Sequence, residues 1–129
     1  MGSDTPGPSL AANNYAASLV NLRRFKEAKS LMLKMMPVAQ RVLGENDETR
    51  LRMRWYYAVA LYLDDAATLD DFREAVEILE SVAPLRIRIF GEAHPETPRV
   101  KHALATAREK LAHALASAAT AAGSAEEKS

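Results

Sequence analysis

The sequence contains two copies of one pattern, and this repetition constrains the fold more than any other feature. The landmarks of the first copy return at an offset of 47 positions: Phe25, Ala28, Pro37 and Gly44 recur as Phe72, Ala75, Pro84 and Gly91. Four matches at a single offset are difficult to obtain by chance. A period of this size indicates a repeat architecture, in which each unit buries its apolar face against its neighbours.

The composition is that of a small helical domain without a strong electrostatic preference. Of the 129 residues, 48% are hydrophobic but only 6% are aromatic, a mix that suits helices packed closely through small side chains. Lys plus Arg and Asp plus Glu number 17 each, so the chain has no general attraction to nucleic acid or to an anionic membrane. The sequence has no cysteine, which excludes disulfides and thiolate metal sites.

The sequence also bears on location. No apolar run approaches the roughly 20 residues of a membrane span. The first residues lack the basic-then-apolar pattern of a secretory signal. We therefore predict a cytoplasmic protein.

Apolar residues recur at helical spacing in five segments, each bounded by turn or capping residues. The predicted helices are Leu10–Leu22, Phe25–Leu43, Glu48–Asp65, Asp70–Phe90 and Glu96–Ala119. Ser9 is the expected N-cap of the first helix, and Gly44 is expected to end the second helix in a left-handed conformation. The predicted division is a flexible lead-in at 1–8, a repeat domain at 9–118 and a flexible tail at 119–129. Within the domain, repeats span about 9–44 and 48–91, and a capping helix spans about 96–118.

The second helix of each repeat is expected to contain a proline, Pro37 in one copy and Pro84 in the other. A proline removes one backbone hydrogen bond and crowds the carbonyl four residues earlier. Pro37 therefore predicts a bend near Leu33. Because the proline recurs at the repeat offset, the bend is predicted to be part of the repeat.

Several short stretches carry a family resemblance: Asn13-Asn14-Tyr15-Ala16-Ala17-Ser18-Leu19, Arg24-Phe25-Lys26-Glu27-Ala28, Leu43-Gly44 and Phe90-Gly91-Glu92-Ala93-His94-Pro95. Together they resemble the tetratricopeptide repeat (TPR) of the kinesin-light-chain type, whose long repeat matches the 42-residue offset between Ala16 and Ala58. The resemblance implies an all-α solenoid of about five helices, built from antiparallel pairs in a right-handed superhelix. It also implies that His94 bonds to the turn that precedes it. Arg23 stands where the family has a turn glycine.

The resemblance further implies a peptide-binding groove on the concave face, lined by the first helix of each pair. The site residues that it predicts are Asn13, Asn14, Arg52, Trp55, Tyr56, Tyr62, Arg99 and His102, with Ala17, Val20, Val59, Thr106 and Glu109 beside them. Asparagine amides can bond an extended backbone, arginines can pair with carboxylates, and aromatic rings supply apolar area with polar tips. The alternative is that the rings fill helix contacts and the asparagines are ordinary polar surface.

The predicted function is a non-enzymatic module that binds a peptide segment of a protein partner, possibly an acidic one. The alternative is a structural solenoid segment that self-associates through its end faces or continues a larger scaffold. No cofactor, nucleic acid or membrane partner is predicted. Glu109 and His113 lie four apart but lack a third metal ligand, and the sequence has neither a glycine-rich phosphate loop nor a nucleophile elbow.

Overall fold

The computed structural model describes residues 6–128, with side chains described from residue 7 to residue 123. That range contains five helices and no strand: α1 (Pro6–Asn21), α2 (Phe25–Val42), α3 (Glu48–Leu63), α4 (Leu69–Phe90) and α5 (Thr97–Lys128). The all-α prediction is confirmed, and the bounds of α2, α3 and α4 lie within two residues of those predicted. None of these helices is long and apolar enough to cross a membrane.

The two outer helices extend further than predicted. Helix α1 begins at Pro6 rather than Leu10, and α5 continues to Lys128 rather than ending near Ala119. Ser9 is therefore not an N-cap; it lies inside α1, where its side chain is buried. Proline lacks the N–H that the first helical turn leaves unbonded, so the helix can start before Ser9. The predicted division into lead-in, domain and tail stays a prediction, although helical backbone crosses both of its boundaries.

The helices pack as two antiparallel pairs with a fifth helix added. Helix α1 packs against α2 and α3 against α4, while α3 also contacts α2 and α5 covers α4. Six alanines with no exposed surface lie in the core: Ala16, Ala28, Ala58, Ala60, Ala75 and Ala107. A methyl side chain lets two helix axes approach closely. These alanines agree with the expectation that the helices pack through small side chains. The right-handed superhelical course stays a prediction.

Both prolines are accommodated within their helices, since Pro37 lies inside α2 and Pro84 inside α4. The end of α2 differs from the prediction, because Gly44 has no positive φ. The helix ends instead at Leu43, whose backbone is extended and whose N–H donates to the carbonyl of Ala39. An extended residue stops a helix without any left-handed position, so the glycine is not required there.

The turn between α1 and α2 contains the single non-glycine residue with positive φ in the described chain, Arg23, at 60°. Its N–H donates to the carbonyl of Val20 at 3.0 Å, and the N–H of Arg24 donates to the carbonyl of Leu19 at 2.8 Å. The Arg23 guanidinium lies 5.2 Å from the centroid of the Phe25 ring. The turn therefore has the backbone of a glycine turn but carries a cationic side chain.

Comparing two variants of Arg23 isolates the cost of this backbone conformation. Arg23→Gly and Arg23→Val remove the same contact with Phe25, but only valine keeps a Cβ that opposes positive φ. We expect the valine variant to be less stable than the glycine variant by about 1–2 kcal/mol. Urea denaturation of both variants measures this difference. If the two variants unfold at the same urea concentration, the turn relaxes to a negative φ when valine replaces Arg23.

The loop between α4 and α5 is held by short hydrogen bonds. Gly91 has φ 94°, and its carbonyl accepts a bond from the Thr97 hydroxyl at 2.7 Å. His94 bonds to the preceding turn, as predicted, because its backbone N–H donates to the carbonyl of Gly91 at 3.3 Å. Its ring Nδ1 also accepts from the N–H of Glu96, in the following turn, at 3.1 Å. The His94 ring also lies 5.5 Å from the Phe90 ring. These contacts fix the position of Glu96 just before α5.

Candidate binding groove

An open groove of about 610 Å³ lies between α1, α3 and the start of α5. Its lining comes from α1 and the start of α2 (Ala17, Val20, Asn21, Arg23, Phe25), from α3 (Trp55, Tyr56, Val59, Tyr62, Leu63) and from α5 (Pro98, Arg99, His102, Ala103). The first helices of successive pairs therefore converge on one surface. The three α3 rings and the aliphatic residues make its walls largely apolar.

Five of the eight predicted site residues line this groove: Trp55, Tyr56, Tyr62, Arg99 and His102. They come together because residues three or four apart on α3 lie on one side of that helix, and Arg99 and His102 repeat this spacing on α5. The neighbouring positions Ala17, Val20 and Val59, predicted with them, also line it. Thr106 and Glu109 do not; Glu109 lies instead in a separate groove beside Phe72 and His113.

Asn13 and Asn14 do not line the groove. Asn13 is 2% exposed, and its Oδ1 has no hydrogen-bond partner among the described residues. Asn14 is exposed on another side of α1. Successive residues of a helix lie about 100° apart, so the packing of α1 that turns Asn13 inward leaves Asn14 exposed.

Arg52, the third predicted residue outside the groove, is engaged in ion pairs. Its guanidinium pairs with Glu48 at 2.7 Å and with Glu96, the residue that immediately precedes α5. Glu96 also faces Arg86 of α4, with 3.7 Å between Oε2 and the guanidinium. Two arginines from two helices thus converge on one carboxylate, and Arg52 is committed to this cluster rather than to a ligand.

Trp55 lies between the groove and this ionic cluster. It is 3% exposed; the guanidinium of Arg86 lies 5.3 Å from its ring centroid and that of Arg99 lies 5.5 Å away. The ring of Tyr56 packs at a tilt, 5.3 Å between centroids. Guanidinium groups within about 6 Å of an indole face are attracted to it, so these contacts hold Trp55 in place at the groove wall.

Arg86 is a structural residue that the sequence analysis did not single out. It is 3% exposed, its guanidinium also lies 4.9 Å from the Phe90 ring centroid, and burial lowers its pKa. An arginine remains charged despite such a shift. The helical spacing predicts that Arg86 is buried, because it follows Val82 by four residues and Leu79 by seven and so lies on the apolar side of α4.

The groove is lined by basic side chains but by no carboxylate. Arg23, Arg99 and His102 contribute basic groups, and none of the described side chains in the lining is acidic. Burial raises the pKa of Tyr62 to about 12, so its hydroxyl stays neutral at physiological pH. The groove therefore combines aromatic walls with a basic edge. Elsewhere within residues 6–128, no group of three or more His, Asp or Glu residues is arranged to hold a metal.

Comparison with known protein families identifies the type of repeat. A family model described as tetratricopeptide repeat matches residues 10–48 and 65–96, more than half of the chain. Neither a curated protein nor a solved structure is similar enough to count as a match. Such repeats generally mediate protein–protein contacts and are generally not enzymes. With its helix pairs and the matched segments in agreement, the chain belongs to the tetratricopeptide-repeat family.

Proposed function

We propose that this chain binds a short segment of a partner protein in the groove between α1, α3 and α5. The observation that carries the proposal is the lining itself, which places Trp55, Tyr56 and Tyr62 beside Val20 and Val59 in one open space. Trp55 and Tyr62 are only 3% and 6% exposed, so the half-buried Tyr56 and the aliphatic residues provide most of the accessible contact area. An aromatic ring such as that of Tyr56 loses little conformational freedom on binding. A volume of about 610 Å³ is in the range of binding clefts and accommodates a few side chains of a peptide.

The charge of the lining supports an acidic segment, or one that presents a carboxylate. Arg99 and Arg23 contribute guanidinium groups with exposed side chains, and the lining itself contains no carboxylate; Arg23 also borders an adjoining depression that contains Asp64 and Asp65. Guanidinium groups form strong, directional hydrogen bonds with carboxylates. Arg52, first assigned to this role, is occupied by Glu48 and Glu96, so the proposed preference rests on Arg99 and Arg23.

Charge reversal at Arg99 tests this preference. Peptides selected by display on the purified chain are expected to be enriched in Asp and Glu, and Arg99→Glu is expected to weaken their binding at least tenfold, about 1.4 kcal/mol. Fluorescence anisotropy with a labelled peptide measures the change in Kd. Arg73→Glu, on the exposed surface of α4 away from the groove, changes the net charge equally and is the matched control.

Two results would contradict the proposal in different ways. If Arg99→Glu and Arg73→Glu weaken binding equally, the attraction comes from net charge rather than from the groove. If no peptide is enriched, the groove does not bind peptides at all.

We also propose that the repeats are of the kinesin-light-chain type. The 42-residue offset of the first helices supports this assignment, as does the segment Phe90–Pro95 between α4 and α5. In that segment the His94 ring packs on Phe90 and its Nδ1 accepts from Glu96. The histidine therefore has a structural role in joining one pair to the next helix.

A further inference from the structure

Arg23 occupies a backbone position that suits glycine better than arginine. Its φ of 60° lies in the left-handed region, which a Cβ atom disfavours. Its exposed side chain lies beside the Phe25 ring, and within the described residues its guanidinium has neither an ion pair nor a hydrogen bond. Backbone strain of this kind is concentrated at ligand-binding sites, and Arg23 lines the groove.

The two arginines of the groove lie at different levels along α3. Arg99 lies at the level of Trp55, because its guanidinium is 5.5 Å from the centroid of that ring. Arg23 lies at the end of the helix, since it borders the depression that contains Asp64, the residue after Leu63. From position 55 to position 63 an α-helix advances about 12 Å. The two guanidinium groups therefore face different parts of the groove.

We propose that Arg23 and Arg99 are separate anchors for one extended segment, whose two acidic residues stand about three to five positions apart. This inference rests on the proposed function, because it requires that the groove binds a peptide. An extended chain advances about 3.3 Å per residue, so a separation of about 12 Å corresponds to three or four residues, and the length of the acidic side chains allows one more. A helical segment would instead need acidic residues about eight positions apart.

Between these two levels the groove is lined by uncharged side chains. Tyr56 and Val59 of α3 are half-buried there, and Ala17 and Val20 line the same groove from α1. An acidic residue in the middle of a bound segment would lose water without meeting a cation. An acidic residue near either end would meet a guanidinium that has no other ionic partner within the described residues. The lining therefore favours two separated acidic residues over a continuous acidic run.

The two anchors are expected to differ in strength. Asp64, close to Arg23, is engaged by the Nζ atom of Lys29 at 2.8 Å, but Asp65 is exposed in the same depression and repels an anion there. Arg99 borders no such depression. We therefore expect the loss of Arg99 to weaken binding more than the loss of Arg23, for which an exposed ion pair implies an effect of up to about fivefold.

Neutralising the charges of the peptide and of the chain together tests the arrangement. The tightest peptide from a display selection is synthesised with each Asp or Glu changed in turn to Asn or Gln, and fluorescence anisotropy gives each Kd. Arg23→Gln is expected to weaken binding about fivefold, and to have no effect once one particular acidic residue is neutralised. Arg99→Gln should be coupled in the same way to a second acidic residue, about three to five positions away. Arg24→Gln is the control, because Arg24 pairs with Glu27 and lies outside the groove lining.

The stability of Arg23→Gly provides an independent measurement. Glycine adopts a positive φ freely, so this variant is expected to unfold at no lower urea concentration than the wild-type chain. Its peptide Kd is expected to match that of Arg23→Gln. A weaker interaction without a loss of stability would assign the Arg23 side chain to binding. A variant that unfolds at a lower urea concentration would assign the side chain to the fold and contradict the inference.

The outcomes distinguish this inference from the proposed function. If peptides are enriched but Arg23→Gln has no more effect than Arg24→Gln, or if both anchors couple to the same acidic residue, the groove binds peptides without a second anchor. Coupled acidic residues about eight positions apart would overturn the extended conformation in favour of a helix. If no peptide is enriched, the proposed function fails and the inference fails with it.

Discussion

Replacing Trp55 with alanine is expected to lower the free energy of unfolding by about 3–5 kcal/mol. The indole is 3% exposed, and its removal leaves a cavity between α3, α4 and α5. It also leaves the guanidinium of Arg86 without one of its two aromatic neighbours. Domains of this size are stable by only about 5–15 kcal/mol, so the loss is a large fraction of the total. Guanidinium chloride denaturation, monitored by circular dichroism at 222 nm, measures it.

Two further variants separate the stability of the fold from the function of the groove. Trp55→Phe keeps an aromatic ring and should lose much less stability than Trp55→Ala. Tyr56, which is half-buried and lines the groove beside Trp55, can be truncated with less damage to the core. If Trp55→Ala unfolds at the wild-type denaturant concentration, the ring is not packed as described. A loss of peptide binding in Tyr56→Ala at nearly wild-type stability would assign binding to the groove itself.

The helices and their pairing could be predicted because the signals for them are local. The spacing of Ala28, Met32 and Ala39 along α2 is a property of that segment alone, and all three residues are buried. The 47-residue offset then predicts a second pair built in the same way. The predicted helices differ from the structure at their ends, as at Ser9 and Gly44. At a helix end, several ways of ending the backbone hydrogen bonding have nearly equal energy.

The groove could be predicted only in part, because its composition depends on how each helix rotates against its neighbours. Trp55 and Arg99, which the family resemblance predicts for the groove, line it. Asn13 does not, because the packing of α1 decides which of two adjacent asparagines turns inward. Arg23 and Phe25 were missed because they reach the groove from a turn. That turn has a backbone conformation that an arginine at this position does not suggest.

The ionic cluster could not be predicted from the sequence, because its members are far apart along the chain. Arg52, Arg86 and Glu96 come from α3, from α4 and from the loop before α5. Arg52 is predicted as a ligand-binding residue when α3 is considered alone. The contact with Glu96, 44 positions away, gives it a structural role instead. The same contact connects α5, one wall of the groove, to the two preceding helices.

Neutralising Glu96 is therefore expected to destabilise the fold, although less than removing Trp55. Glu96→Gln leaves Arg86, which is 3% exposed, without a carboxylate, while Arg52 keeps its ion pair with Glu48. Both Nη atoms of Arg86 already lack hydrogen-bond partners among the described residues. Removing one member of a fully buried ionic cluster typically costs about 3–5 kcal/mol. Because the side chains of Glu96 and Arg52 are 18% and 28% exposed, we expect a smaller loss, about 1–3 kcal/mol, in denaturant titrations. Hydrogen exchange should show the largest loss of protection in α5, because Glu96 anchors its start.

A second substitution separates charge from packing. Arg86→Met fills the space between Trp55 and Phe90 with a flexible apolar side chain and removes the buried cation. The double variant Arg86→Met with Glu96→Gln is expected to be more stable than Glu96→Gln alone, because no uncompensated charge is left at Arg86. If the two losses are simply additive, Arg86 and Glu96 do not interact across 3.7 Å. The anchoring of α5 would then rest on Arg52 alone, and Arg52→Met should by itself reproduce the loss of protection in α5.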